Sequence, residues 1–301
     1  MRREIPPLFT NKPFWLQFCY LLLLIVGGLI ISNSLALLIG KLFFANALNS
    51  RKCLYIIQSI SAFGTFLVPA LLFSYCATNR WFSYNKAHQV APPQLVGYVL
   101  ILSLFLLPVV ACLGYFNEQL RLPEFMQTLE AMMQKMEEAS KIFTQTLTAN
   151  SNIPILLLNI IIMALFPALF EEFLFRGTLQ PFFTKWFANK HVAIILTAFI
   201  FSAIHFQFYG IIPRFLLGIY LGYLLVWGKS LWLPIIAHFM HNATSLIFDY
   251  GARKRGINLE LVEPTQIAEF YPVVLFCTFC VALEIYYLWK KAMVSQSEEI
   301  S

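Results

Sequence analysis

Residues 153–179 read IPILLLNIIIMALFPALFEEFLFRGTL. No charged side chain interrupts the run from Ile153 to Phe170, and then Glu171, Glu172 and Arg176 follow in close succession. A helix that crosses a bilayer takes about 20 predominantly apolar residues, so this run reads as a membrane span with charges near its end. A charge at membrane depth costs at least about 2.5–3.5 kcal/mol, and such residues are rarely kept without a function. Glu172 and Arg176 stand four apart on one helical face and can offset each other's burial. Glu171 points about 100° away and has no partner nearby in the sequence, so its partner must come from another helix. A carboxylate held that way is suited to act as a base.

Outward from this stretch the chain has the same character. Hydrophobic residues make up 59% of 301 and charged residues 12%, against about 25% charged in soluble domains. The expected class is all-α: a polytopic membrane protein of about eight transmembrane helices with one amphipathic interfacial helix. Spans are expected near 14–40, 53–76, 95–116, 153–179, 191–209, 211–228, 231–249 and 270–290, with the join at Gly210 the least sharply marked. Pro69, Pro108 and Pro167 fall inside spans, where membrane helices tolerate kinks. The apolar run from Phe14 to Gly40 exceeds the roughly 7–15 residues of a signal-peptide core, so it reads as a retained first span behind Arg2 and Arg3.

The segment from Arg121 to Asn150 differs. Phe125, Leu129, Met132, Met133, Met136, Phe143 and Leu147 recur at helical spacing, with Glu130, Gln134, Lys135, Glu137, Glu138 and Lys141 between them. This is the pattern of an amphipathic helix lying on the membrane or over the mouth of the bundle. The expected organisation is N-terminal transmembrane helices over 1–120, the amphipathic helix over 121–150, a helical core over 151–250, and a loop, last span and tail over 251–301.

The net charge of +6 comes without a long basic run. Its lysines and arginines, Arg214 among them, sit at the ends of apolar spans, which points to the lipid bilayer as partner and away from nucleic acid. Their near balance between the two sets of loops leans toward cytoplasmic termini, and a bacterial cytoplasmic membrane is the expected location. The six cysteines fall in or beside apolar spans and are expected to pack rather than form disulfides, Cys277 and Cys280 included. Glu284 is expected to snorkel toward the interface. Asn33, Gln58 and Asn159 are expected to hydrogen-bond between helices.

Further polar residues capable of chemistry follow on later spans. His205 ends Phe-Ser-Ala-Ile-His, and Gln207 follows closely enough to line the same site. In His-Phe-Met-His-Asn, His238 and Asn242 share a helical face, while His241 is rotated off it. An amide beside an imidazole can donate to developing negative charge.

Glu171, Glu172 and Arg176, then Phe201 and His205, then His238 and Asn242, in this order on separate apolar helices, resemble the CPBP family. These are the CAAX protease and bacteriocin-processing proteins, also called Abi, relatives of the Ras-converting CAAX endopeptidases. The resemblance covers roughly residues 153–249, and Gly177 after Arg176 suits it. It implies an intramembrane endopeptidase acting on a membrane-associated peptide or protein substrate. By position, Glu171 activates water, His205 orients it, His238 and Asn242 stabilise the oxyanion, and Glu172 and Arg176 support the site. Direct water activation without a cofactor is favoured. Zinc held by Glu171, His205 and His238 is the alternative, although His-Glu-x-x-His is absent and asparagine is a poor zinc ligand. Two other classes stay open: a catalytically silent immunity or scaffold protein, and a proton-coupled transporter, for which no inverted repeat is visible.

Overall fold

The computed structural model describes residues 7–44, 49–82, 84–149, 152–257 and 264–300. Arg2 and Arg3, and the junction at Asn150 and Ser151, lie outside the described residues. Every element found among those described is helical. In chain order they are α1 (Phe14–Phe44), α2 (Arg51–Thr78), α3 (Pro93–Glu118), α4 (Gln127–Thr148) and α5 (Ile153–Phe187). There follow α6 (Lys190–Ala203), α7 (Ile211–Gly228), α8 (Trp232–Lys254) and α9 (Pro264–Ile300).

Each expected span falls on a helix, and α4 occupies the amphipathic segment. Six helices are long and apolar enough to cross a membrane: α1, α2, α3, α5, α7 and the Phe270–Lys291 part of α9. The chain is therefore an integral multi-pass membrane protein. The remaining two expected spans differ from that pattern. Helix α6 has 14 residues and rises about 21 Å, short of a hydrocarbon core of about 30 Å. Helix α8 has the length, at 23 residues, but its apolar face is broken by His238, His241, Asn242 and Asp249.

Prolines shape the long helices in a consistent way. Three π-helical turns, Phe63–Leu67, Ile160–Leu165 and Phe175–Leu179, each run directly into a proline two residues on: Pro69, Pro167 and Pro181. A proline ring collides with the carbonyl four residues before it and offers no N–H in return. Widening the preceding turn relieves that collision and keeps the helix continuous. The third widened turn contains Arg176.

Small residues allow the closest helix contacts. On α7, a β-carbon at Gly218 would sit 3.0 Å from that of Ala198, and one at Gly222 would sit 2.9 Å from Ile194, so α6 and α7 pack almost backbone to backbone. On α1 and α2, Gly28 and Gly64 leave room for the opposite helix and for Ser32. Polar ties reinforce these contacts. Ser61 donates to Asn33 at 2.9 Å. Tyr55 donates to Asn159, whose amide donates to Leu147 O of α4 at 3.2 Å. Gln58 makes no hydrogen bond among the described residues, unlike its two expected companions. Glu284 also departs from expectation, because one of its carboxylate oxygens is buried on the side of Tyr98 and Tyr220 rather than reaching for the interface. The cysteines among the described residues are all free, with Cys277 buried.

Candidate active site

The site is built on α5, on the turn after α6, and on α7 and α8. On α5, Glu172 and Arg176 are both fully buried, and Arg176 Nη1 donates to Glu172 Oε1 at 2.7 Å. This is the i,i+4 pair that their spacing implied. The guanidinium has further support from α7, where Nη2 donates to Gly218 O at 3.1 Å, and it lies 4.5 Å from the centre of the Phe201 ring. One turn along, Gln180 Nε2 repeats the pattern with Gly222 O at 3.0 Å. The two glycines that let α6 approach α7 thus also present carbonyls to α5.

The structure adds a partner that the sequence did not indicate. His238 Nδ1 on α8 meets Glu172 Oε1 at 2.9 Å, and the imidazole is buried. A ring nitrogen facing a carboxylate oxygen carries the proton, so Nδ1–H donates and Nε2 points elsewhere. One carboxylate oxygen therefore joins α5 to α8 and binds two cationic or potentially cationic groups. The other oxygen of Glu172 is buried without a hydrogen bond.

Glu171 is buried as well, 8% exposed, and makes no hydrogen bond among the described residues. The charges of His238, Glu172, Arg176 and Arg214 lie near enough to act on it. Adjacent carboxylates thus have opposite environments: Glu172 is held by ion pairs, and Glu171 is unengaged beside them.

His205 is not on a helix. Helix α6 ends at Ala203, and His205 lies in the turn before α7. The expected span over 191–209 stops short because Phe206 adopts φ +52°, which no helix accommodates. His205 Nδ1–H donates to Phe201 O at 2.8 Å, leaving the Nε2 lone pair free to accept. Phe201 packs edge-on against the rings of both His205 and His238, so one aromatic side chain separates and spaces the two imidazoles. Asn242, on α8, makes no hydrogen bond among the described residues. His241 Nδ1 is buried and unpaired.

Two residues of the region had a different expectation. Arg214 was counted among the loop cations, but it occupies the first turn of α7, within electrostatic reach of Glu171 and His205. Gln207 is tied to Arg214 and to Ser140 of α4 rather than left open to the site. A lone arginine in an otherwise apolar run was the available signal for Arg214. Nothing in the spacing marked Ser140.

Among the described residues, no three His, Cys, Asp or Glu side chains converge closely enough to hold a metal ion. In both His205 and His238, Nδ1 is engaged by a protein acceptor, which leaves Nε2 as the ring nitrogen open to water, substrate or a metal ion.

Residues 153–244 match the model of the type II CAAX prenyl endopeptidase Rce1-like family. No curated protein and no solved structure matches the chain. The matched stretch contains Glu171, Glu172, Arg176, Phe201, His205, His238 and Asn242, the residues that carried the resemblance in the sequence. Over these residues the chain is similar to the Rce1-like type II CAAX prenyl endopeptidases, a family of peptide hydrolases.

Proposed function

We propose that the protein is an intramembrane endopeptidase in which Glu171 and His205 activate a water molecule and His238 and Asn242 stabilise the resulting oxyanion. The observation that carries this reading is the contrast between the two glutamates. Glu172 is saturated at Oε1 by Arg176 and His238, and Glu171 beside it is buried with no hydrogen bond. Such a carboxylate is free to take a proton.

The proton accounting is consistent with those roles. His205 Nε2 accepts a hydrogen bond from the water, Glu171 takes one of its protons, and the hydroxide oxygen attacks the scissile carbonyl carbon. Negative charge moves to the carbonyl oxygen. His238 donates to it through Nε2–H, which requires the imidazolium, since Nδ1–H is committed to Glu172. With Glu171 ionised, two carboxylates then face Arg176 and the imidazolium, and the four groups sum to zero charge. The tetrahedral intermediate collapses as Glu171 returns its proton to the amine nitrogen and the C–N bond breaks. Asn242 supplies a second donor once substrate is seated.

Residues 151–250 would be the catalytic core, 1–120 and 251–301 its membrane scaffold, and α4 the cover over the site. The eight-span arrangement holds in this reading with α6 as a partial span and α8 as a polar one. The substrate is a membrane-associated peptide or protein. Labelling of newly formed N-termini in cells expressing wild type or Glu171→Ala tests the proposal without knowledge of the substrate. Termini that appear only with wild type are expected. Identical sets, with both proteins present in the membrane at equal levels, would refute it and favour a silent scaffold role.

A further inference from the structure

The turn that carries His205 is held from outside its own backbone. Phe206, its immediate neighbour, sits at φ +52°, a region that bulky residues avoid. A conformation of that kind persists only where the surroundings impose it. Arg214 provides part of that restraint. Its Nη1 donates to Gln207 O at 3.0 Å and its Nη2 to Gln207 Oε1, so both arms of one guanidinium grip one residue. The same group lies flat against Gly210, where a β-carbon would come within 2.8 Å of Arg214 Cζ. Any residue larger than glycine at 210 would displace it. Beyond Gln207 the contact continues, because the glutamine amide donates to Ser140 Oγ on α4.

Position argues against a merely solvated cation. The first turn of a helix carries partial positive charge, which disfavours an arginine there unless specific acceptors compensate. The acceptors present are two oxygens of one residue, a match for a planar fork and not for a point charge. From the same place Arg214 lies within electrostatic reach of Glu171, His205 and Glu137.

We propose that Arg214 is a positioning residue: by clamping Gln207 it fixes the 204–210 turn and holds His205 Nε2 in register with Glu171. This rests on the roles given to Glu171 and His205 above. It assigns Arg214 no contact with substrate.

The test uses the full chain in phosphatidylcholine proteoliposomes. Two quantities are read: steady-state cleavage of an internally quenched, farnesylated CAAX peptide, and hydrogen exchange at the Phe206 and Gly210 amides. Both amides bond within the turn, to Ala203 O and Gln207 O. Arg214→Lys and Arg214→Gln are expected to lower kcat alike, by about 10²-fold, because a loss of register near 1 Å has that effect. KM should change little, since no binding contact is lost. Exchange should rise over 204–210 and stay unchanged in α5. Gln207→Ala should reproduce both effects. Gln207→Glu, which still offers oxygens to the fork, should restore them.

Full kcat in Arg214→Lys with loss in Arg214→Gln would show that charge alone matters and would overturn the clamp. Unchanged exchange in Arg214→Gln, or exchange raised throughout the chain, would overturn it too. Glu171→Ala and His205→Ala variants that cleave as wild type does would defeat the water-activation reading instead, and a wild type that leaves the peptide intact would show only that this peptide is not its substrate. Local exchange still decides the clamp in those cases.

Discussion

Glu172→Ala should be the most destabilising single change at the site, and the reason lies in what it leaves behind. Removing one partner of a buried ion pair costs about 3–5 kcal/mol, because the other charge remains buried and unpaired. Arg176 is fully buried, and without Glu172 it keeps Gly218 O, the Phe201 and Phe175 rings and the charge of Glu171, but no carboxylate in direct contact. His238 Nδ1 loses its acceptor in the same step. The upper end, about 5 kcal/mol, therefore applies. Arg176→Met removes the other half of the pair but leaves Glu172 with His238, so the lower end, about 3 kcal/mol, is expected. For a chain of this size these losses lower the melting temperature by about 5–10 °C. The combination Glu172→Gln with Arg176→Met should recover most of the loss: no charge is stranded, and the glutamine carbonyl still accepts from His238. Melting of purified protein in one detergent, followed by intrinsic fluorescence, ranks the variants. A Glu172→Ala protein that melts within about 2 °C of wild type would mean less than roughly 1 kcal/mol was lost, and would show that water reaches the pair.

Two other outcomes follow from the same geometry. Cleavage should survive prolonged treatment with a zinc chelator, and elemental analysis of the active protein should show no stoichiometric metal; loss of activity restored by added zinc would reverse that assignment. Gly222→Ala places a β-carbon 2.9 Å from Ile194 and 3.0 Å from Gln180 Oε1, so thermal melting should report a loss of about 1–3 kcal/mol, and an unchanged melting curve would mean α6 and α7 can separate freely.

Much of the helical framework was legible because apolar runs of membrane length have few other readings. The Glu172–Arg176 pair was legible because i,i+4 spacing on a helix fixes a neighbour. The end of α6 was not. Phe206 is bulky and apolar, and nothing in its type announces a left-handed backbone. Periodicity therefore carried the helix on to residue 209. The second partner of Glu172 was invisible for a different reason: His238 lies 66 residues away, and its register against α5 is set by how α8 packs. Glu284 misled because a glutamate near tryptophan and lysines at a helix end usually reaches for water. Here one oxygen instead turns toward tyrosines of α3 and α7. The widened turns before Pro69, Pro167 and Pro181 could have been suspected, since a membrane helix must do something about each missing N–H.

The short α6 ties the irregularity of the fold to its chemistry. A helix rising about 21 Å is shorter than a hydrocarbon core of about 30 Å, so a chain entering the membrane at Lys190 would reach the 204–210 turn before crossing it. Irregular backbone at that depth is tolerated only where protein or enclosed water satisfies it. Protein does so at several points. Asn117 of α3 donates to Phe208 O and accepts from Ile212 N, both at 2.9 Å, and Ser202 donates to Ile211 O at 2.6 Å. Arg214 takes Gln207 O, and α4 lies across the outside through Gln134 and Glu130 to Tyr209. A regular helix through this depth would have carried all of these backbone bonds internally and kept His205 on its surface. Breaking it lets His205 bond its own chain through Nδ1 while Nε2 stays free, and it sets polar side chains around a point where hydrolysis needs water. Asn117→Leu tests that link, since it removes a donor and an acceptor far in sequence from every proposed catalytic residue. It should raise exchange across 204–210 and depress kcat together. Raised exchange with unimpaired cleavage would separate the turn from the chemistry.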